Sequence, residues 1–286
     1  MADNVTLSSA VRTNLLSLNK TADSVNRTNS RLSTGLKVAS AVDDAVAYFQ
    51  AKGLSDRAGD LTSRKESIDQ AVSSVKSAIG GLESVEKILT QMKGVALSAK
   101  SATDADRTEL ASQFNTLATQ LTNLVNDTSY QGLNLVNSTA ASLKVEFSDK
   151  TAAVLTIKGV DVRSSKLKGL AVAGSVAATA ATDKKWSAVS AKVSSLDAII
   201  KKLDSAISTV RSNVKTLGGN VALLQTRLDF TKNYVNTLKE GSDKLTLADL
   251  NEEGANLVSL QTRQQLGIQA LSFAGQQEQG VLSLFR

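Results

Sequence analysis

Neither histidine nor cysteine occurs among the 286 residues. Imidazole bases, thiol nucleophiles, disulfides and the usual zinc ligands are therefore excluded. Aspartate-based or metal-carboxylate catalysis is the enzymatic option that remains, and no constellation of acids, bases or nucleophiles supports it. No catalytic, cofactor-binding or metal-ligating residue is assigned, and the chain is read as a non-enzyme without cofactors. Its formal charge is +6. Between Ala141 and Ser187, Lys144, Lys150, Lys158, Arg163, Lys166, Lys168, Lys184 and Lys185 face only Glu146, Asp149, Asp161 and Asp183, so this segment holds most of the surplus. A nucleic-acid site would interleave stacking aromatics or show a recognition-helix pattern. Neither is present, and the segment reads as a solvated, lysine-rich exposed module.

The informative feature is a spacing. From residue 189 to 238, apolar side chains fall at alternating steps of four and three: Val189, Val193, Leu196, Ile200, Leu203, Ile207, Val210, Val214, Leu217, Val221, Leu224 and Leu228, then Val235 and Leu238. Only Thr231 interrupts the series. A repeat of about 3.5 residues makes one narrow apolar seam on a helix, and only other helices can hide it. At about 1.5 Å per residue such a helix would run roughly 75 Å, so the expectation is a rod. Gly218 and Gly219 fall inside the seam, where a glycine pair predicts a bend or break. Proline is absent, as suits long helices. Hydrophobic residues make up 42% and aromatics 3%, so the cores must be aliphatic.

Weaker seams flank this one. Val11, Leu15, Leu18, Ala22, Val25, Leu32 and Leu36 predict a first helix over residues 1–36, with Asn29 in the missing seam position as a register-fixing polar residue. The run Arg31-Leu-Ser-Thr-Gly35 to Asp43-Asp44-Ala45 reads as a helix end, a connector and an acidic helix start. A third seam runs from Leu61 through Ile68, Val72, Val75, Ile79, Leu82, Val85, Leu89 and Met92 to Ala96. Asp106 with Glu109 predicts a cap for a helix carrying Leu110, Phe114, Leu117, Leu121 and Leu124. Residues 126–132 are turn formers. Alternation at Leu143, Val145 and Phe147, followed by a second β-branched run, predicts a hairpin over 143–162. Thr246 and Asp249 predict a cap for a last helix carrying Leu250, Leu257, Leu260, Ile268 and Leu271. Weak apolar seams at both ends of the chain predict antiparallel pairing and the need for a partner. The fold class is mainly α: a long antiparallel helix-bundle rod with a small β-hairpin region. No basic region followed by an apolar core opens the chain, and the run Leu170–Ala181 is too short to span a bilayer. Those features alone predict a soluble, cytoplasmic protein.

Four stretches resemble bacterial flagellin. They are Arg31–Ala45 (RLSTGLKVASAVDDA), Thr128–Leu135, Leu223–Phe230 (LLQTRLDF), and Gln264–Arg286, which closes on VLSLFR. They stand in the family's order, and the resemblance covers all but about residues 141–187. It carries the motif residues Arg31, Leu32, Gly35, Asp43 and Asp44. It implies an inner core of paired terminal helices (1–40 with 252–286), an outer core of long helices (41–140 with 188–251), and a short exposed insertion with the hairpin (141–187). It further implies self-assembly into the filament of the bacterial flagellum, with Val11, Leu15, Leu18, Val25, Leu32, Leu36, Leu257, Leu260, Ile268, Leu271, Leu282 and Phe285 on the assembling helices. Also implied are signal-free export through the flagellar channel from a transient cytoplasmic pool, an export chaperone on the last helix, and growth beneath a cap beyond hook-junction proteins. No nucleic acid and no membrane are implied as partners.

Gln91, Gly94 and Thr116 stand where receptor-stimulating flagellins carry an arginine and two glutamates, so the resemblance implies poor activation of the vertebrate Toll-like receptor. Ser164, Ser165, Ser175, Thr179 and Thr182 are candidate glycan acceptors. The alternatives are a hook-filament junction protein, which resembles flagellin at both ends, and a soluble coiled-coil binding module or signalling rod.

Overall fold

The computed structural model describes residues 9–148, 153–163, 167 and 192–284. The glycan candidates, together with Val189 and Phe285, lie outside them. Within the described residues the order is α1 (Ser9–Thr34), α2 (Ala45–Ser101), α3 (Asp104–Asp127), β1 (Ser142–Glu146), β2 (Val154–Lys158), α4 (Lys192–Thr246) and α5 (Leu250–Leu284). The mainly α class with one hairpin is as expected. The chain divides into two compact units, residues 1–58 with 236–286 and residues 59–235, and both α2 and α4 contribute to each.

The larger unit holds the aliphatic core. Ile68, Leu82, Val85, Leu89, Met92 and Ala96 of α2 are fully buried, as their spacing requires. They pack with Leu203, Val210, Leu217 and Leu224 of α4 and with Phe114, Leu121 and Val125 of α3. On α3 the buried line runs through Ala111, Phe114, Ala118, Leu121 and Val125, while Leu110, Leu117 and Leu124 are half-buried along its edge. Thr231 does not break the α4 seam. It is buried, and its hydroxyl donates to the carbonyl of Arg227 at 2.9 Å, so no donor is left unmade.

Three ion pairs fix the register of α2 against α4: Arg211 with Glu86 at 2.8 Å, Lys93 with Asp204 at 2.5 Å and Lys100 with Asp197 at 2.8 Å. Seven residues forward on α2 are seven residues back on α4, which defines an antiparallel heptad pairing. These pairs are largely solvated, so each is worth about 0–1 kcal/mol and serves alignment more than stability.

The cap of α3 sits three residues before its expected place. Thr103 is the N-cap and accepts from the Asp106 amide, while the Asp106 carboxylate accepts from the Thr103 hydroxyl at 2.6 Å. Asp106 is thus the third helical residue, bonded through both its amide and its carboxylate to the Thr103 side chain, and the pairing with Glu109 concealed the cap. The hairpin forms in the expected place, with Leu143 opposite Ile157 and Val145 opposite Leu155. Val145 and Ile157 are buried, and the alternate residues Lys144, Glu146, Thr156 and Lys158 are exposed. Arg227 of α4 stacks over the Phe147 ring at 5.1 Å, and Arg64 of α2 pairs with Glu146 at 2.5 Å.

Helix α4 passes through Gly218 and Gly219 without interruption, so the glycine pair does not break it. Flanking seam residues Leu217 and Val221 are buried, and their packing outweighs the helix cost of about 1 kcal/mol per glycine. A Cβ at Gly218 would meet nothing within 4 Å, whereas one at Gly81 would collide with the Thr128 side chain. Gly218→Ala is therefore expected to stabilise the protein by about 0.8–1 kcal/mol. Gly81→Ala should destabilise it by about 1–3 kcal/mol through overpacking. Denaturant titration of the two variants checks the opposite signs.

Candidate assembly surface

Helix α1 ends where the chain can turn left-handed. Gly35 has φ +71°, and its amide donates to the Arg31 carbonyl at 2.8 Å. The chain then lies along the end of α4: Lys37 donates to the Thr246 carbonyl at 2.7 Å, Ala248 donates to the Gly35 carbonyl at 3.0 Å, and Leu36 bridges Leu247. Asp43 gathers the amides of Ala39 and Ser40 and the Ser40 hydroxyl at 3.0–3.2 Å. The hydroxyl bond from Ser40, followed by its amide, holds the Asp43 carboxyl below its ordinary range. A depressed carboxylate stabilises the fold above its ordinary pKa, so the ordering of this connector is lost as pH falls through the lowered value. Asp44 opens α2 by accepting from the Ala47 amide at 3.0 Å.

Helices α1 and α5 pair within the smaller unit. Arg31 donates to Glu253 at 2.8 Å, and the Leu18 side chain lies against Gly267, where a Cβ would stand 3.1 Å from it. Thirteen residues back on α1 are fourteen forward on α5, so the pair is antiparallel. Next to the ion pair lies a polar groove of 290 Å³ lined by Ser24, Arg27, Thr28, Asn256, Ser259 and Arg263 among others. Glu253 is 8% exposed and Arg31 is its ionic partner. Arg31→Ala would strand a buried carboxylate, at a cost of about 2 kcal/mol after allowance for the partly exposed guanidinium. The expected result, measured on assembled filaments where the pair is ordered, is faster amide exchange in α1 and α5 and no change in the core of the larger unit.

Each residue placed on the assembling helices can be located. Val11 is buried; Leu18, Val25, Leu32, Leu36, Leu257, Leu260 and Leu271 are half-buried; Leu15 and Ile268 are exposed. Leu282 lies in the last turn of α5. Asn29 is exposed, and Thr28 takes the buried position instead.

The spacing did not single out Leu16, Val258, Leu266 or Phe273. All four are exposed, at 59%, 63%, 60% and 68%. Val258, Leu266 and Phe273 recur at steps of eight and seven along one side of α5, a signal that a search for buried seams passes over. Between them lies Thr262, whose hydroxyl donates to the Val258 carbonyl at 2.9 Å. Gln91 and Gly94 on α2 and Thr116 on α3 are exposed on the larger unit.

Among the described residues no helix is long and apolar enough to cross a membrane, and no group of acids is placed to hold a metal. Models of the bacterial flagellin N-terminal and C-terminal helical regions match residues 5–141 and 179–285. Flagellin FljM of Caulobacter vibrioides is 30% identical over 95% of this chain and 94% of its own length. A flagellin of Brucella melitensis is 28% identical over the whole of both chains. The structure of a protein assigned as a flagellar hook-associated protein from Vibrio parahaemolyticus shares the fold at a TM-score of 0.61 and 16% identity, covering 72% of this chain and all of its own. With both helical regions matched and near-complete coverage by a relative of that identity, the chain belongs to the bacterial flagellin family and is a structural subunit of the flagellar filament.

Proposed function

We propose that the paired helices α1 and α5 are the surface through which this subunit enters the filament. The carrying observation is an imbalance. Val11 is the buried apolar residue of α1, and no described apolar residue of α5 is buried, yet Leu15, Leu16, Val258, Leu266, Ile268 and Phe273 stand exposed. Covering one such side chain fully is worth about 1.5–3 kcal/mol. Several together could order a weak pair against its neighbours. Residues 1–40 with 252–286 would then form the inner layer of the polymer, and Arg31, Leu32, Gly35, Asp43 and Asp44 would fix the exit from α1. The family resemblance supports the same reading for the remaining partners: an export chaperone on α5, a distal cap, and passage from the cytoplasm through the flagellar channel. The uncharged Gln91, Gly94 and Thr116 support poor Toll-like receptor activation, because charge-assisted contacts are absent there.

The test is to replace Leu266 and Phe273 with aspartate and to add the monomer to filament seeds. Unchanged helicity with at least about a tenfold rise in critical concentration is expected, equivalent to about 1.4 kcal/mol per subunit. Elongation at the parent rate would refute this surface.

A further inference from the structure

Helix α4 carries a second repeat besides its core seam. It starts at Ser205, Thr209, Ser212 and Thr216 and continues in steps of three and four to Phe230 and Asn233. Its positions stand two residues from those of the seam, about 200° around the helix. Every position of the row is exposed, and none is charged. The charged exposed residues of the same span, Arg211, Lys215, Arg227, Asp229 and Lys232, all lie on other rows.

A solvated helix face would carry some of those charges. This row instead has the composition of a contact. Leu223 and Phe230 project from it at 44% and 59% exposure, and the Phe230 ring is held by stacking on Tyr234 at 5.9 Å. Gly219 has no Cβ neighbour within 4 Å, which leaves room for another backbone to approach. The hydroxyls of Ser205, Thr209, Thr216 and Thr226 already donate to their own helix at 2.9–3.0 Å, so covering them leaves no donor unmade.

We propose that this row receives helix α3 of a second copy of the chain. The proposal rests on the self-assembly reading but concerns a different surface. A repeat averaging 3.5 residues is matched by another helix. Row-on-row pairing of two α4 helices would be isologous and would close a dimer, whereas a filament needs a contact between unlike surfaces. Helix α3 supplies the unlike surface. It has no charged residue from Leu110 to Asn126, and it exposes Ser112, Thr116, Thr119 and Asn123. The hydroxyls of Thr116 and Thr119 likewise donate within their own helix, both at 3.0 Å.

The test compares Thr216→Glu and Thr226→Glu, on the row, with Gln225→Glu beside it, in the full chain. All three monomers should unfold at the parent temperature. Seeded elongation should fall at least about tenfold for the first two and stay at the parent rate for the third. Because the protein has no cysteine, Thr216→Cys subunits copolymerised with Thr119→Cys subunits can be joined by a short bismaleimide, and mixed dimers are expected. Elongation of Thr216→Glu and Thr226→Glu at the rate of Gln225→Glu overturns the proposal. If Leu266→Asp still blocks growth in that case, the terminal-helix reading stands without it. Cross-links only between Thr216→Cys subunits also overturn it, since they report the two-fold arrangement.

Discussion

Phe114→Ala is expected to destabilise the larger unit by about 3–5 kcal/mol, the usual cost of deleting a buried aromatic side chain. Phe114 is 1% exposed and, among the described residues, is the largest of the fully buried side chains, in a core otherwise built from Leu, Ile, Val, Met and Ala. Aliphatic neighbours on long helices relax only partly into the space it leaves, because each is packed along its seam against the facing helices. For a unit of this size the loss corresponds to a fall of roughly ten degrees or more in Tm. Phe114→Leu keeps most of the volume and should cost about half as much or less. Thermal unfolding of both variants by circular dichroism checks the prediction. A small change for alanine would mean that α3 is not part of the cooperative core. Assembly would suffer only through the folded fraction, so cooling should restore seeded growth for Phe114→Ala but not for a variant changed at a contact surface.

Much of the fold was legible because burial and helical period act together. A side chain at 0% exposure must recur with its helix, and the residues from Ile68 to Ala96 and from Leu196 to Leu238 do so. The hairpin was legible for the same reason at period two. Local exceptions were harder to read. Thr231 looks like a gap until its hydroxyl is seen to bond its own helix, and Gly218-Gly219 looks like a hinge until the packing on both sides is seen. Thr103 caps α3 three residues before the acidic pair that drew attention.

The proposed assembly surface was only half legible. Arg31 stood out by family motif, but its partner Glu253 lies 222 residues away, and no local spacing joins them. Val258, Leu266 and Phe273 were passed over because an apolar residue is ordinarily assigned to its own chain's interior. In a polymer subunit the interior that covers it can belong to a neighbour, and a single chain's seam search cannot distinguish the two.

Removing residues 1–36 and 252–286 is expected to leave a folded protein that cannot polymerise. The cut takes α1 and nearly all of α5, whose described residues bury only Val11, Thr28 and Glu253. It leaves α3, the hairpin and the facing lengths of α2 and α4 intact, with the whole aliphatic core of the larger unit. Its Tm should therefore match that of the parent core. What disappears is the exposed set on the terminal helices. Helices this polar are marginal in water on their own, so their ordering is expected to be offset chiefly by burial against neighbours, at about 25 cal/mol per Å² of apolar surface. Ordering and assembly then become one event, and a head-to-tail contact between unlike faces propagates without closing. Circular dichroism should show the core helices retained, sedimentation should show a monomer, and parent seeds should not elongate. Filaments from the trimmed protein would show that the larger unit alone carries the lattice, and outright unfolding would show that the terminal pair is part of the core. Either result overturns this assignment of the ends.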